Sequence, residues 1–535
     1  NVKLCTMTCH LISMLIIRYV SLVQTRASEI VVCSSDAKHW RQLADREFQE
    51  ALNYKWNLNT AKNVIIFVGD GMSPDTVTAS RIYRAGETSH LAWETFPHVG
   101  LLKTYNVNKQ VPDSASTATA LFGGVKTNFE VVGVDANVPL ADCTASLNTD
   151  YHVDSIVSWA QAVGKDTGFV TTTRVTHATP APLYAHSADR RWECETKMPK
   201  TASRCKDIAR QLIEDAPGKD IKVIMGGGRQ MLQSDATGTA SDPIDTWAGR
   251  RQDGRDLIEE WTKDKASRKV SYSVVQNNEQ LSRVDTDKVD YLLGIFANGH
   301  ISMDWNREKG PKGQPSLEEM TVTALKILQR SKRGYLLIVE GGLIDYAHHR
   351  GHAAQALLET VRFSDAINAT LKMVDTKDTL VIVTSDHTHS MNFNGYSNRG
   401  SNILGTSKHD GIPYTTLTYS TGGPNNAAYS TENNSAVRMD PSGNNTTDFM
   451  YSQQATIISD EAYHGGGDVA VYAIGPFAHL FHSVHEQNYV ARVIKHSMNL
   501  KTFSNSSTKQ EYNILVCVSL CCGLCLLSLW DCWYK

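Results

Sequence analysis

GYLLIVEGGLIDYAHH, residues 334–349, is the stretch on which the fold turns. Its apolar run, Tyr335 to Val339, is continuous and not alternating, as in a strand covered on both faces. The run ends in Glu340 and two glycines, and from Asp345 to Phe363 the pattern reads as one helix. A strand that ends in an acid and passes straight into a helix is the unit of a parallel α/β sheet. In such sheets ligands gather beyond the carboxyl ends of the strands. Asp345 and His349 stand four residues apart, so they share one helix face and can grip one ion.

Three other stretches repeat the design. NVIIFVGDG (63–71) is a β-branched run closing on Asp70, held between glycines where backbone can approach an ion closely. KDTGFVTTTRVTH (165–177) and DTLVIVTSDHTH (378–389) are strand-like and end in hydroxyl, imidazole and acidic groups, with Asp386 and His387 adjacent. His464 sits in AYHGGGDVAVY, just before another β-branched run. The expected fold is therefore α/β: a large, mostly parallel sheet with helices on both faces. Ser316 to Arg330 supplies one such helix by its i, i+4 apolar pattern. From about 392 to 460 Gly, Asn, Ser, Thr and Tyr dominate, which predicts a small loop-rich insertion with some strands.

Each of these residues alone has an ordinary explanation. Asp-Gly is a turn, D-x-x-x-H a solvated helix face, an Asp-His pair a capped loop. What carries the reading is their joint occurrence at equivalent strand ends. Zinc prefers imidazole nitrogen with carboxylate oxygen, and magnesium prefers carboxylate, hydroxyl and water oxygen. The set has donors for two zinc sites and one magnesium site. Ser114, in VPDSASTATALFGGVK, stands just before or at the start of an Ala/Thr-rich helix. A helix N-terminus stabilises negative charge on a phosphate or an alkoxide. Arg190, in SADRRW, offers a planar fork to two phosphate oxygens.

The 53 basic and 56 acidic residues leave a formal charge of -3. That balance gives no support for a nucleic-acid partner, which needs a concentrated basic face. The ends of the chain point to export. LISMLIIRYVSLV (11–23), followed by QTRASE, has the pattern of a secretory signal peptide, so residues 1–27 are expected to be cleaved. Small residues at Ser504–Ser507, a polar spacer and the apolar run Ile514–Trp530 form the pattern of a glycolipid (GPI) anchor signal, here 506–535. The catalytic body is then 28–505. Of eleven cysteines, Cys33, Cys143, Cys194 and Cys205 fall in that body, and four cysteines allow three pairings. Glycan acceptor sequons stand at Asn368, Asn433, Asn444, Asn445 and Asn505.

IIFVGDGM, PDSASTATA, GVKT, TTTRVTHATPA, YAHSADRRW, VIMGGGR, VEGGLIDYAHH, VTSDHTH, NGYSNRG and HGGGDVAVYAIGP occur in this order. From about Lys38 to about Asn499 the chain thereby resembles the animal alkaline phosphatases. The resemblance implies that family's sandwich, with a central sheet and a crown-like insertion. It implies hydrolysis of phosphate monoesters through a phosphoserine on Ser114, with broad specificity; extracellular nucleotides, pyrophosphate and small phosphate esters are the candidate substrates. Asp345, His349 and His464 would hold one zinc; Asp70, Asp386 and His387 the other, which also meets Ser114. Asp70, Thr179 and Glu340 would hold magnesium, with His177, Asp113 and His389 behind these ligands and Arg190 on the phosphate. A homodimer on the outer face of the plasma membrane is implied as well.

Some positions depart from the family pattern. Its calcium site draws on acids where this chain has Ala297, after Phe296, and Gln314, before Pro315. We therefore expect no calcium there. Tyr346 stands where histidine is common. The family's middle disulfide is matched by Cys143 and Cys205; Cys33 and Cys194 are left over, and whether they pair with each other stays open. Relatives that cleave diesters or sulfate esters on a similar scaffold use Thr or a modified Cys as nucleophile, and Ser114 with Arg190 argues against that chemistry. A binding protein that has lost catalysis is disfavoured because every ligand position is filled.

Overall fold

Along Asn63–Gly69 (β1), Val64, Ile66 and Val68 point to one side and Ile65 and Phe67 to the other, and all are fully buried. The two sides feed different cores. One is closed by helices Ser114–Gly123, Ile156–Ala162, Ile208–Glu214 and Tyr489–Ser497, the other by Leu317–Leu328 and Ala353–Leu371. This two-sided cover is why the strand sequences are continuously apolar. Emptying one such position, as in Phe67→Ala, would cost about 3–5 kcal/mol. The computed structural model describes residues 36–500 except 410, 424, 425, 433 and 434.

The other strands of the main sheet are His98–Lys103 (β2), Asp166–Arg174 (β3), Val223–Gly227 (β4), Tyr272–Val275 (β5), Tyr291–Ile295 (β6), Tyr335–Gly341 (β7), Thr379–Ser385 (β8), Val469–Ile474 (β9) and Ser483–Glu486 (β10). Their order is β10-β2-β9-β8-β1-β7-β3-β4-β6-β5. From β8 to β5 every pairing is parallel, and β9 runs against both its neighbours. The four stretches singled out by sequence are thus the adjacent strands β8, β1, β7 and β3. Register levels their ends: Val68 pairs with Glu340, Glu340 with Thr171, and Gly69 with Ser385.

The helix expected from Asp345 to Phe363 is two helices, Leu343–His349 and Ala353–Leu371. Gly351 parts them at φ +68, and a left-handed residue ends a right-handed helix. The break leaves Asp345 and His349 together on a short helix of their own. The expected helix at 316–330 runs Leu317–Leu328, started by a capping box between Ser316 and Glu319.

Between 391 and 465 the strands among the described residues form small sheets. Met391–Phe393, Leu417–Gly422 and Ala455–Ile458 make one, Thr406–His409 with Ile412–Thr415 another, and Tyr429–Glu432 with Ser435–Arg438 a third. Cys143 and Cys205 are joined by a disulfide. Among the described residues Cys194 is a free thiol, wholly buried in the core and 3.2 Å from the Thr196 hydroxyl. Cys33 lies outside the described residues, as do the signal and anchor segments, Asn433 and Asn505. The described residues before Asn57 form a separate unit, the helix Ala37–Asn53 capped by Asp36. No helix among the described residues is long and apolar enough to cross a membrane.

Candidate metal centre

Beyond the level ends of β8, β1, β7 and β3, acids and imidazoles converge into three groups, the donor atoms of each within 4.8 Å of one another. Asp345, His349, His389 and His464 form the first, Asp70, Asp386 and His387 the second, and Asp70, His177 and Glu340 the third. Asp70 belongs to two of them because the turn after β1 projects it between β7 and β8. Gly71 makes that turn possible. Its φ is +64, its N–H donates to Asp386 Oδ1 at 3.1 Å, and a Cβ there would fall 2.8 Å from Asp345 Oδ1.

In the first group Asp345 Oδ2 is 3.2 Å from His349 Nε2, and His464 Nε2 is 3.0 Å from His349 Nε2 and 3.4 Å from Asp345 Oδ1. In the second, His387 Nε2 lies 3.4 Å from Asp70 Oδ1 and 3.3 Å from Asp386 Oδ2. In three of these histidines the other ring nitrogen faces a backbone carbonyl: His349 that of Ala462 at 2.7 Å, His464 that of Pro112 at 2.9 Å, His387 that of Thr388 at 3.2 Å. Each Nδ1–H donates to its carbonyl, so each Nε2 lone pair is aimed into the site. This is the orientation a metal-binding imidazole takes.

The electrostatics demand positive charge. Burial, reinforced by the carboxylates of Asp386, Asp345 and Glu340, holds Asp70 protonated well above its usual range. Burial lifts Glu340 to about 7 and, with Asp345, lifts Asp386 to about 6. At Asp345 burial acts upward too, but His349 and His464 overcome it and hold the carboxyl low. Burial also opposes charge on His349, yet Asp345 carries it up to about 9. His177, His387 and His389 are pushed well down, chiefly by burial. Asp70 Oδ2, Glu340 Oε1, Thr179 Oγ1, Asp345 Oδ1, His177 Nδ1 and His389 Nε2 are buried with no hydrogen-bond partner. Such orphaned donor atoms call for a missing partner. Carboxylates that crowd one another with open lone pairs, beside imidazoles aimed inward, fit cations of the zinc and magnesium type.

Ser114 is buried at the first position of its helix, with Oγ 3.0 Å from His387 Nε2 and 3.4 Å from Asp70 Oδ1. Asp113 caps that helix by accepting the N–H groups of Ala115 and Ser116. The same carboxylate accepts Arg190 Nη1 at 3.1 Å, which fixes the guanidinium beside the serine. The other end of the fork lies 3.4 Å from His177 Nε2.

The family model described as alkaline phosphatase matches residues 61–500. The chain is 44% identical over 476 residues to the tissue-nonspecific alkaline phosphatase of Rattus norvegicus, covering 86% of this chain and 88% of that one. The chain belongs to the alkaline phosphatase family. It is accordingly an enzyme, a phosphatase. The membrane-bound alkaline phosphatase of Bombyx mori is 41% identical, covering 85% of this chain and 84% of that one. The alkaline phosphatase fold is shared with the solved structure from Thermus thermophilus, at 23% identity and TM-score 0.58 over 84% of this chain and 94% of that one. It is shared too with the enzyme of the Antarctic bacterium TAB5, at 21% identity and TM-score 0.54 over 83% of this chain and all of that one.

Alkaline phosphatase motifs account for the donors but not for their supports. Thr171 and Thr173 donate to Glu340 Oε2 at 2.5 and 3.2 Å. The threonine run within β3 was the available signal. His348, wholly buried, is held by Thr76 at 3.0 Å and Tyr419 at 2.8 Å and stacks on His389. The His-His doublet hinted at it. His300 touches the rings of His177 and Tyr346, and nothing local in the sequence announces it. Tyr346 also carries the Arg350 guanidinium, 3.8 Å from its ring centre. At the positions read as lacking calcium ligands, the Ala297 carbonyl accepts the N–H of Gly228 and Arg229, and the Gln314 side chain accepts that of Ser302. Nearby the Arg229 guanidinium bonds Asp242 and Asn298.

Proposed function

We propose that this chain hydrolyses phosphate monoesters through a phosphoserine on Ser114, with two zinc ions and one magnesium ion per subunit. Asp345, His349 and His464 would hold one zinc, and Asp70, Asp386 and His387 the other. Asp70, Thr179 and Glu340 would hold magnesium, with His177 alongside. A variant of the TAB5 enzyme is described with Mg bound in its M3 site. Bound metal ions supply the positive charge that favours a serine alkoxide and neutralises phosphoryl oxygens.

The observation that carries the reading is the seat of Ser114 Oγ, at a helix N-terminus between His387 and Asp70. Arg190, braced by Asp113, binds two phosphoryl oxygens and turns phosphorus toward Ser114. Attack forms the Ser114 Oγ–P bond and breaks the P–O bond to the alcohol, which leaves in line on the far side. Water entering from that far side then breaks the Oγ–P bond, releases phosphate and returns the proton to Ser114. Little of this grips the alcohol, so many monoesters are expected to serve.

The body is proposed to stand on the outer face of the plasma membrane on a glycolipid anchor attached near 504–507, after loss of 1–27 and 506–535. A homodimer is proposed with it; the helix Ala37–Asn53 buries none of its own side chains and exposes Trp40, Phe48 and Leu52. Glycans are proposed at exposed Asn368, Asn444 and Asn445, and at Asn433. No calcium is proposed beside Ala297 and Gln314, a reading supported by the Arg229 cation nearby.

Turnover of a chromogenic phosphate ester at alkaline pH tests the mechanism. Ser114→Ala is expected to lose activity by about three orders of magnitude or more, and a chelator to silence the wild type. Full activity in Ser114→Ala would overturn it.

A further inference from the structure

The helix that begins at Ser114 runs ten residues, and its other end, about 15 Å away, borders a second cavity. The cavity has a volume of about 490 Å³, within the range of sites that take small organic molecules. Gly123 and Gly124 form one wall, Trp159 a second, and the helix Tyr489–Ser497 a third. Its described lining shares no residue with the three donor groups. Tyr489, Arg492 and Lys495 follow one another at steps of three, so each neighbours the next on the helix surface. The partly exposed rings of His485 and Tyr489 stack, with centres 4.1 Å apart and planes 12° from parallel. Lys495 Nζ stands 4.7 Å from the centre of the Trp159 ring.

The charge of this cavity is unbalanced. Burial and the neighbouring Arg492 hold the Lys495 ammonium below its ordinary pKa, and among the described residues no carboxylate pairs with either side chain. Glu486, the acid on the same wall, is already taken by Lys103 at 3.1 Å and Lys126 at 2.8 Å. The wall is also held in place. Asn488 Nδ2 donates to the Gly124 carbonyl at 3.1 Å, and the buried Gln487 side chain donates to the Asp386 carbonyl at 2.5 Å. Two adjacent cations on a helix are ordinarily a solvated face. Here they stand beside a fixed aromatic stack at the edge of a cavity, an arrangement that needs no reordering to receive a ligand. We propose that this cavity is a second binding site, for a small molecule in which an aromatic ring carries a phosphate or sulfate group. Arg492 and Lys495 bind the oxyanion, and the ring extends the His485–Tyr489 stack. Nothing in this site draws on the phosphomonoesterase reading, so the two stand or fall separately.

The probe is naphthalene-1-sulfonate, which has the ring and the oxyanion but no ester bond to cleave. Titration calorimetry of the metal-loaded protein is expected to show it binding. Arg492→Glu and Lys495→Glu are each expected to weaken that binding about tenfold, through loss of a charge-assisted hydrogen bond. Both variants should turn over the chromogenic ester at the wild-type level, which shows that they fold. Arg190→Ala, at the metal centre, should leave sulfonate binding unchanged. The saturated counterpart, decahydronaphthalene-1-sulfonate, should bind several-fold more weakly, because it has no π face to stack. Naphthalene-1-phosphonate separates the two sources of the oxyanion. Its second charge suits two cations, so Arg492→Glu is expected to cost it more than it costs the sulfonate; the reverse order would assign sulfate esters. The proposal is overturned if the wild type does not bind the sulfonate, if both charge reversals leave its binding unmoved, if Arg190→Ala abolishes it, or if the saturated counterpart binds equally well.

Discussion

Asp113 uses one carboxylate for two tasks, holding the first turn of the Ser114 helix and bracing Arg190. The tasks separate by substitution. Asp113→Ala removes a cap worth about 1 kcal/mol and also frees the guanidinium. Asp113→Asn keeps a cap oxygen but drops the charge that holds Arg190. We expect inorganic phosphate to inhibit both variants about tenfold more weakly, from the loss of a charge-assisted hydrogen bond. Only Asp113→Ala should melt lower, by about 1–2 °C for a chain of this size. Inhibition constants and thermal melts decide it; wild-type phosphate affinity in both variants would contradict the bracing role.

At the level of the element, the turn after β1 shows how tightly the donors are packed. Gly71→Ala would impose a left-handed conformation on an L-residue, costing about 1–2 kcal/mol. It would also drive a methyl into Asp345 Oδ1, 2.8 Å from the ideal Cβ position. Because Asp345 belongs to the first donor group and Gly71 sits beside the second, the variant is expected to retain less than about a tenth of the wild-type zinc after dialysis. Elemental analysis reads this directly, and full retention would show that the turn relaxes. Such elements were also where the chain was legible before its structure. Continuous apolar runs ending in Asp70, Glu340 and Asp386 announced buried parallel strands, because a strand covered on both faces has no polar alternation to hide. Helix extent was less legible: the apolar pattern runs through Gly351, and only its positive φ reveals the break. The supports were least legible. His300 and Glu461 reach the site across long stretches of chain, and no local period encodes such meetings.

Across the whole molecule, the buried acids make stability depend on pH in a calculable direction. Glu340 at about 7 and Asp386 at about 6 lie above their ordinary range, so without metal the folded chain holds protons that the unfolded chain has released. His349, raised to about 9, acts in the same sense. Stability from these groups is present at low pH and lost as pH rises through their folded values. The depressed His177, His387 and His389 act the other way but only below about pH 7, so the melting temperature of metal-stripped protein is expected to fall by a few degrees between about pH 7 and about pH 9. Zinc and magnesium should reverse the fall, since metal binding favours the deprotonated ligands. Differential scanning calorimetry with and without chelator measures both, and a stripped protein that gains stability over that range would refute the charge assignment.

The disulfide between Cys143 and Cys205 closes a covalent ring that contains β3, His177, Thr179 and Arg190, while Asp70, Ser114, Glu340, Asp345, Asp386 and His464 stand outside it. Oxidation thus ties down one sector of the site and leaves the rest to the sheet. The same chain folded in a reducing compartment would keep its strand-end acids and imidazoles but carry Arg190, the proposed phosphate-binding residue, on a slackened loop. An oxidising surrounding is part of how this catalyst is built.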